Sequence, residues 1–121
     1  MAILTERNHP GCFMVSEARG TRSREAITVA AGETLEAGAV LGRITSTGEY
    51  AALDPDATDG SQTAVAVLYA AVDASAAAAP GVAVARSAEV NAAELVWPEG
   101  ITPAQQAAAV ADLAAAGIIT R

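Results

Sequence analysis

Glu94-Leu95-Val96-Trp97-Pro98-Glu99-Gly100-Ile101-Thr102-Pro103 carries the only tryptophan of a 121-residue chain and marks a change of backbone type. Glu94 to Trp97 reads as a short strand, Pro98 stops it, and Thr102-Pro103 opens a helix. Thr102 suits the N-cap and Gln105 completes a capping box, because each of these two side chains can accept a bond from a backbone N–H that the helix leaves unpaired, and Pro103 suits the first helical position, where its missing N–H costs nothing. Ala104 to Ala116 is rich in the best helix former, and Gly117 can take the left-handed conformation that ends a helix. Val110, Leu113 and Gly117 share a stripe with Gln106, a narrow apolar face suited to lying on a sheet. Ile118-Ile119-Thr120 can form a closing strand.

Upstream the pattern is of short strands. Ile27-Thr28-Val29 is strand-like and is followed by a turn at Gly32. Val40 to Thr45, the turn Ser46-Thr47-Gly48 and Glu49-Tyr50-Ala51 make a hairpin. Ala64 to Val72 places Val65, Val67 and Tyr69 on one side and Ala66, Leu68 and Ala70 on the other, as a strand buried on both faces does. Asp73 to Gly81 reads as a loop or one frayed helical turn, ended by Pro80-Gly81, and Val82 to Val90 alternates again. Before Ile27, His9-Pro10-Gly11, Gly20 and scattered arginines show no sustained period, although Phe13 to Ser16 admits a short strand. These readings predict a mainly β domain over 27–121 with one C-terminal helix, preceded by an extended arm over 1–26.

Composition bounds what such a domain can do. The chain is 52% hydrophobic, but 32 of those residues are alanine, whose burial removes little apolar area, so part of the apolar surface is expected to be covered by other subunits. The net charge of −7, divided into +1 over 1–25 and −8 over 26–121, argues against a nucleic-acid-binding surface, which needs a dense basic patch. The absence of lysine removes Schiff-base chemistry, a Walker lysine and lipoyl or biotinyl attachment, although Glu36 to Gly42 could suggest a carrier-type turn. One cysteine makes no intramolecular disulfide. Glu6, Arg7 and Asn8 interrupt any signal-type apolar core, and the longest apolar run, Ala64 to Val72, has nine residues, so synthesis in the cytoplasm and no membrane partner are expected.

Candidates to carry chemistry are few. His9 and Cys12 lack the further ligands or orienting group that a metal site or a nucleophile needs. Asp54, Asp56 and Asp59 suggest a calcium loop, but the sixth position, which should be glycine, is Asp59, and the twelfth, which should be glutamate, is Val65, so a turn is the better reading. No pair of carboxylates is singled out for acid–base work. We therefore expect no enzyme and no cofactor. Trp97 with Leu95 and Pro98 reads as core or subunit-interface packing, with a carbohydrate-stacking platform as the alternative.

Taken together, Asp54-Pro55-Asp56-Ala57-Thr58-Asp59-Gly60-Ser61-Gln62-Thr63-Ala64, Val72-Asp73-Ala74 and Glu94 to Pro103, in this order, resemble the head decoration proteins of lambda-like tailed phages. The resemblance covers roughly Gly32 to Arg121. It implies a β-clip-type subunit that forms a homotrimer, sits at three-fold sites on the outer surface of the expanded head, and stabilises it against internal DNA pressure. The implied partner is the major capsid protein, reached by an arm over Ile3 to Glu25. Within that arm Ile3, Leu4, Arg7, Phe13, Val15, Arg19, Arg22 and Arg24 are the expected contacts, and Leu95, Trp97 and Pro98 the trimer interface or core. A small β-rich adhesion or glycan-binding module displayed on a particle is the competing expectation.

Overall fold

A computed structural model describes residues 8–121. The architecture is mainly β with a single helix near the C-terminus, and at its centre is a small closed barrel. Five strands form the barrel in the order β2 (Arg24–Val29), β5 (Tyr50–Ala52), β4 (Val40–Arg43), β6 (Ala66–Leu68) and β8 (Ala79–Val84). Beside it lies a three-stranded sheet of β1 (Met14–Glu17), β9 (Ala88–Val90) and β10 (Ile118–Thr120), with β1 antiparallel and β10 parallel to β9. A two-stranded ribbon pairs β3 (Glu33–Leu35) with β7 (Val72–Ala74).

Two apolar clusters follow from the period-2 geometry of the barrel strands. Val40, Val67 and Val84 point to one cluster, where they meet Phe13, Val90, Leu95, Ile118 and the helix residues Ala109 and Leu113. Their chain neighbours Leu41, Leu68 and Ala83 point the other way, to Ile27, Val29 and Leu35. The expected strand buried on both faces is thus present over Ala66–Leu68. It is shorter than predicted, because the chain bends after Leu68 and leaves the barrel to pair with β3.

The hairpin formed by β4 and β5 appears as read, with Leu41, Gly42 and Arg43 opposite Ala52, Ala51 and Tyr50. The helix α1 (Pro103–Ala115) also has the predicted start: the Thr102 hydroxyl accepts from Gln105 N–H and the Gln105 side chain accepts from Thr102 N–H. Gly117 ends it at a φ of 91°, and β10 follows. Three readings are corrected. Pro80-Gly81 lies inside β8 rather than in a loop, tolerated because that stretch pairs with β2 while only Ala83 and Val84 also pair with β6. The run Val82 to Val90 is cut into β8 and β9, with Ser87 between them at a φ of 53°. Glu94 to Trp97 is not a strand: a 3-10 turn over Ala92–Glu94 is capped by the Asn91 side chain, and Val96 makes one parallel bridge to Ala39.

The extended arm is the largest correction. Residues 8–26 belong to the folded body, and β2 runs straight across the expected boundary at 26/27. Phe13 is fully buried and among the largest side chains of the core. The stretch looked unstructured because its segments are short and each pairs with a distant strand, so neither leaves a local period. Residues 1–7 lie outside the described residues.

Candidate functional site

The amino-terminal stretch is fastened to the body by two local devices. Gly11, at a φ of 69°, turns the chain so that its N–H reaches the Tyr69 carbonyl at 2.9 Å, which drops Phe13 into the core. At the end of β1, the Glu17 carboxylate accepts from Arg24 Nη2 at 2.6 Å and from the hydroxyl of Ser23, itself fully buried. The Arg24 guanidinium lies 4.1 Å from the centre of the Tyr69 ring, where the ring's negative face favours a cation. Hydrogen bonds from Arg24 and then Ser23 hold the Glu17 carboxyl below its ordinary range and outweigh desolvation. Glu17 pairing likewise raises Arg24.

This cluster sorts the expected arm contacts. Phe13 is core, and Arg24 pairs with Glu17 and lies over the Tyr69 ring with 33% of its side chain still exposed. Val15, at a bulge in β1, is 54% exposed, and Arg19 and Arg22 are exposed on the turn between β1 and β2. Ile3, Leu4 and Arg7 lie outside the described residues.

A groove of about 640 Å³ forms where β3, the start of β4 and the segment 96–99 converge. Val96, Trp97 and Pro98 form its apolar wall, and Glu33, Glu36 and Glu99 bring three carboxylates. Trp97 is half-buried, packs against the core, and shields its indole N–H from solvent without an acceptor among the described residues. Leu95 is core, Trp97 packs against the core, and Trp97 and Pro98 line the groove. The peptide bond between them is trans. A glycan platform needs an open ring face, and the packing of Trp97 against the core takes much of that ring away.

The acidic loop is a pair of side-chain-stabilised turns. Asp54 accepts from Asp56 N–H, and Asp59 accepts from the N–H and hydroxyl of Ser61. The Ser61 hydroxyl and N–H lower the Asp59 carboxyl. Among the described residues no group of three or more His, Cys, Asp or Glu side chains could hold a metal, and no helix is long and apolar enough to cross a membrane. His9 and Cys12 sit in the turn that leads to Phe13, and Cys12 packs against the core.

Sequence reasoning missed the role of Glu17, Ser23 and Tyr69. A signal was present in the Glu17 and Arg24 pair flanking a Gly20 turn, but it points to Tyr69 only once the strands are paired. No curated protein matches the chain. The family model described as bacteriophage lambda head decoration protein D matches residues 3–118. That family is a structural one of the phage head, and the chain, matched over nearly its whole length, belongs to it.

Proposed function

We propose that this head decoration protein acts as a trimeric cement, seated on the outer surface of the expanded head at its three-fold sites and stabilising that state against internal DNA pressure. The observation that carries the reading is the family match, which begins at residue 3 and so includes the amino-terminal segment. The physical basis is linkage: a ligand that binds the expanded lattice and not its precursor stabilises the expanded state by mass action. Three contacts per trimer turn weak single attachments into avid binding.

In this reading the major capsid protein is held by a shorter arm than the sequence led one to expect. Ile3, Leu4 and Arg7 supply it, with Val15 exposed nearby on β1. Seven residues can reach about 24 Å when extended, enough to meet an exposed sheet edge on an adjoining capsid subunit. The acidic body faces outward and the protein is made in the host cytoplasm.

Co-sedimentation of the full chain with undecorated heads of its own phage tests the proposal. We expect saturable binding to expanded heads at three copies per three-fold site, little binding to unexpanded ones, and greater resistance of the decorated heads to heat. Removing residues 1–7 should leave a folded protein that binds expanded heads at least about tenfold more weakly. Equal binding to both head forms would refute the cement reading, and undiminished binding by the shortened chain would move the attachment site onto the body.

A further inference from the structure

One seam of the barrel is held at a single point. β2 and β5 meet only at Val29 and Tyr50, where the Ala30 N–H reaches the Tyr50 carbonyl at 2.8 Å, because Gly48 turns the chain at a φ of 73° just before β5. The rest of β2, from Glu25 to Thr28, borders a cleft of about 540 Å³ whose opposite wall is made by Arg43, Gly48 and Tyr50.

Pairing with β8 decides where the backbone of β2 points. The two strands are antiparallel and Ser23 accepts from the Ala85 N–H at 2.8 Å, so every second residue from Ser23 onward turns its bonding groups to β8 and the residues between turn theirs away. Glu25, Ile27 and Val29 therefore bond to β8, and Ala26 and Thr28 face the cleft. Thr28 stands opposite Pro80, which has no N–H to give, as an unbonded position allows. Both Ala26 and Thr28 are exposed, and among the described residues their N–H groups meet no acceptor. Two donors about 7 Å apart along one edge are what an added strand bonds to.

Charge gives the chemistry of that strand. The Arg86 guanidinium is bound to Glu25 and to the Arg22 carbonyl. Arg43 is exposed, makes one long bond of 3.4 Å to the Gly48 carbonyl, and meets no carboxylate among the described residues. With Glu25 and Arg86 cancelling, Arg43 leaves the cleft cationic on an otherwise acidic body.

We propose that the open edge of β2 is a second attachment point, which receives an extended segment of the major capsid protein bearing an aspartate or glutamate. The main chain of that segment bonds Ala26 and Thr28, and its carboxylate meets Arg43. The identity of the partner rests on the cement reading, and amide exchange tells the two apart.

Hydrogen exchange, resolved to single amides by electron-transfer fragmentation, is measured on the full chain alone and on expanded heads of its own phage. In the free chain the Ala26 and Thr28 amides should exchange at least about tenfold faster than that of Ile27, and on heads they should slow at least about tenfold. Ala26→Pro removes one donor and no bond to β8, so it should melt with the wild type and bind heads at least about fivefold more weakly. Arg43→Glu should bind at least about tenfold more weakly, with a difference that shrinks as salt rises. Bound heads that leave the two amides at their free rates, or that hold both variants as well as the wild type, overturn the edge and leave the cement reading standing. An Ala26→Pro protein that does not fold overturns the assignment of that N–H to the cleft. Amides already slow in the free chain give the edge to a neighbouring copy and overturn the capsid strand, and a wild-type chain that does not bind expanded heads overturns both readings.

Discussion

Replacing Phe13 by alanine measures how firmly the amino-terminal stretch belongs to the body. The ring is fully buried, packs with Val40, Val90, Leu95 and Ile118, and lies against Gly38, at whose Cα an added methyl group would sit 3.6 Å from it. Truncating such a ring removes its transfer free energy and leaves a cavity that β1 and β9, tied by the Asn91 N–H bond to the Phe13 carbonyl, cannot easily close. The expected loss is about 3–5 kcal/mol. For a domain stable by roughly 5–15 kcal/mol that is about a fifth of the total or more. At about 4 °C per kcal/mol for this chain length, Tm should fall by roughly 12–20 °C. Val15→Ala is the control, since Val15 is 54% exposed and its truncation should cost under about 0.5 kcal/mol. Thermal melts and urea titrations of both variants, at one protein concentration so that oligomerisation does not enter the comparison, decide the matter. A Phe13→Ala protein melting within a degree or two of the Val15→Ala protein would refute the reasoning and restore a detachable arm up to residue 26.

Acid should probe the Glu17 cluster. Its folded carboxyl is held below the ordinary value of 4.5, so its contribution is present above that pH and is lost as pH falls through the lower folded value. The urea midpoint of the wild type should therefore fall more steeply below pH 4.5 than that of Glu17→Gln, and the two should converge in stronger acid; curves that stay parallel would sink the assignment. The glycines give two losses of unequal size. A methyl group on Gly42 would come within 2.5 Å of the Ser61 backbone, so Gly42→Ala should cost about 2 kcal/mol or more in urea unfolding. Gly20 has open space around it and only a φ of 69° to resist, so Gly20→Ala should cost about 1 kcal/mol, and equal losses would contradict this packing at Ser61.

The parts of the fold legible in the sequence are those whose cause is local. Thr102, Pro103 and Gln105 start α1 through bonds made within four residues of one another, and Gly117 ends it through its own backbone freedom. The β4–β5 hairpin is legible for the same reason, since its turn at Ser46-Thr47-Gly48 and its alternation lie within a dozen residues. What failed depended on distant partners. Nothing near Pro80 announces that β2 pairs with it on one side, and nothing near Leu68 announces that the chain must leave the barrel to reach β3. Of the four alanines over 76–79, read as loop or a frayed helical turn, the first three do lie in the loop between β7 and β8, and only Ala79, paired with Val29, belongs to a strand.

The same division governs the candidate site. Leu95, Trp97 and Pro98 stood out as a motif, yet their roles separate by where each side chain points: Leu95 into the core, Trp97 and Pro98 along the groove wall. Charge counting over 1–25 found the arginines but treated them as equivalent. Their neighbours make them unlike, because Arg24 has Glu17 below and the Tyr69 ring beside it, whereas Arg19 and Arg22 have solvent. A guanidinium already satisfied within its own subunit strengthens the fold and adds little to association, since recruiting it elsewhere would leave the buried Ser23 and the Glu17 carboxylate short of a partner. An arginine left in solvent on a braced turn gives up little when it meets a carboxylate on another surface. The cations that the fold leaves in solvent are therefore the ones that an association would cost least to engage.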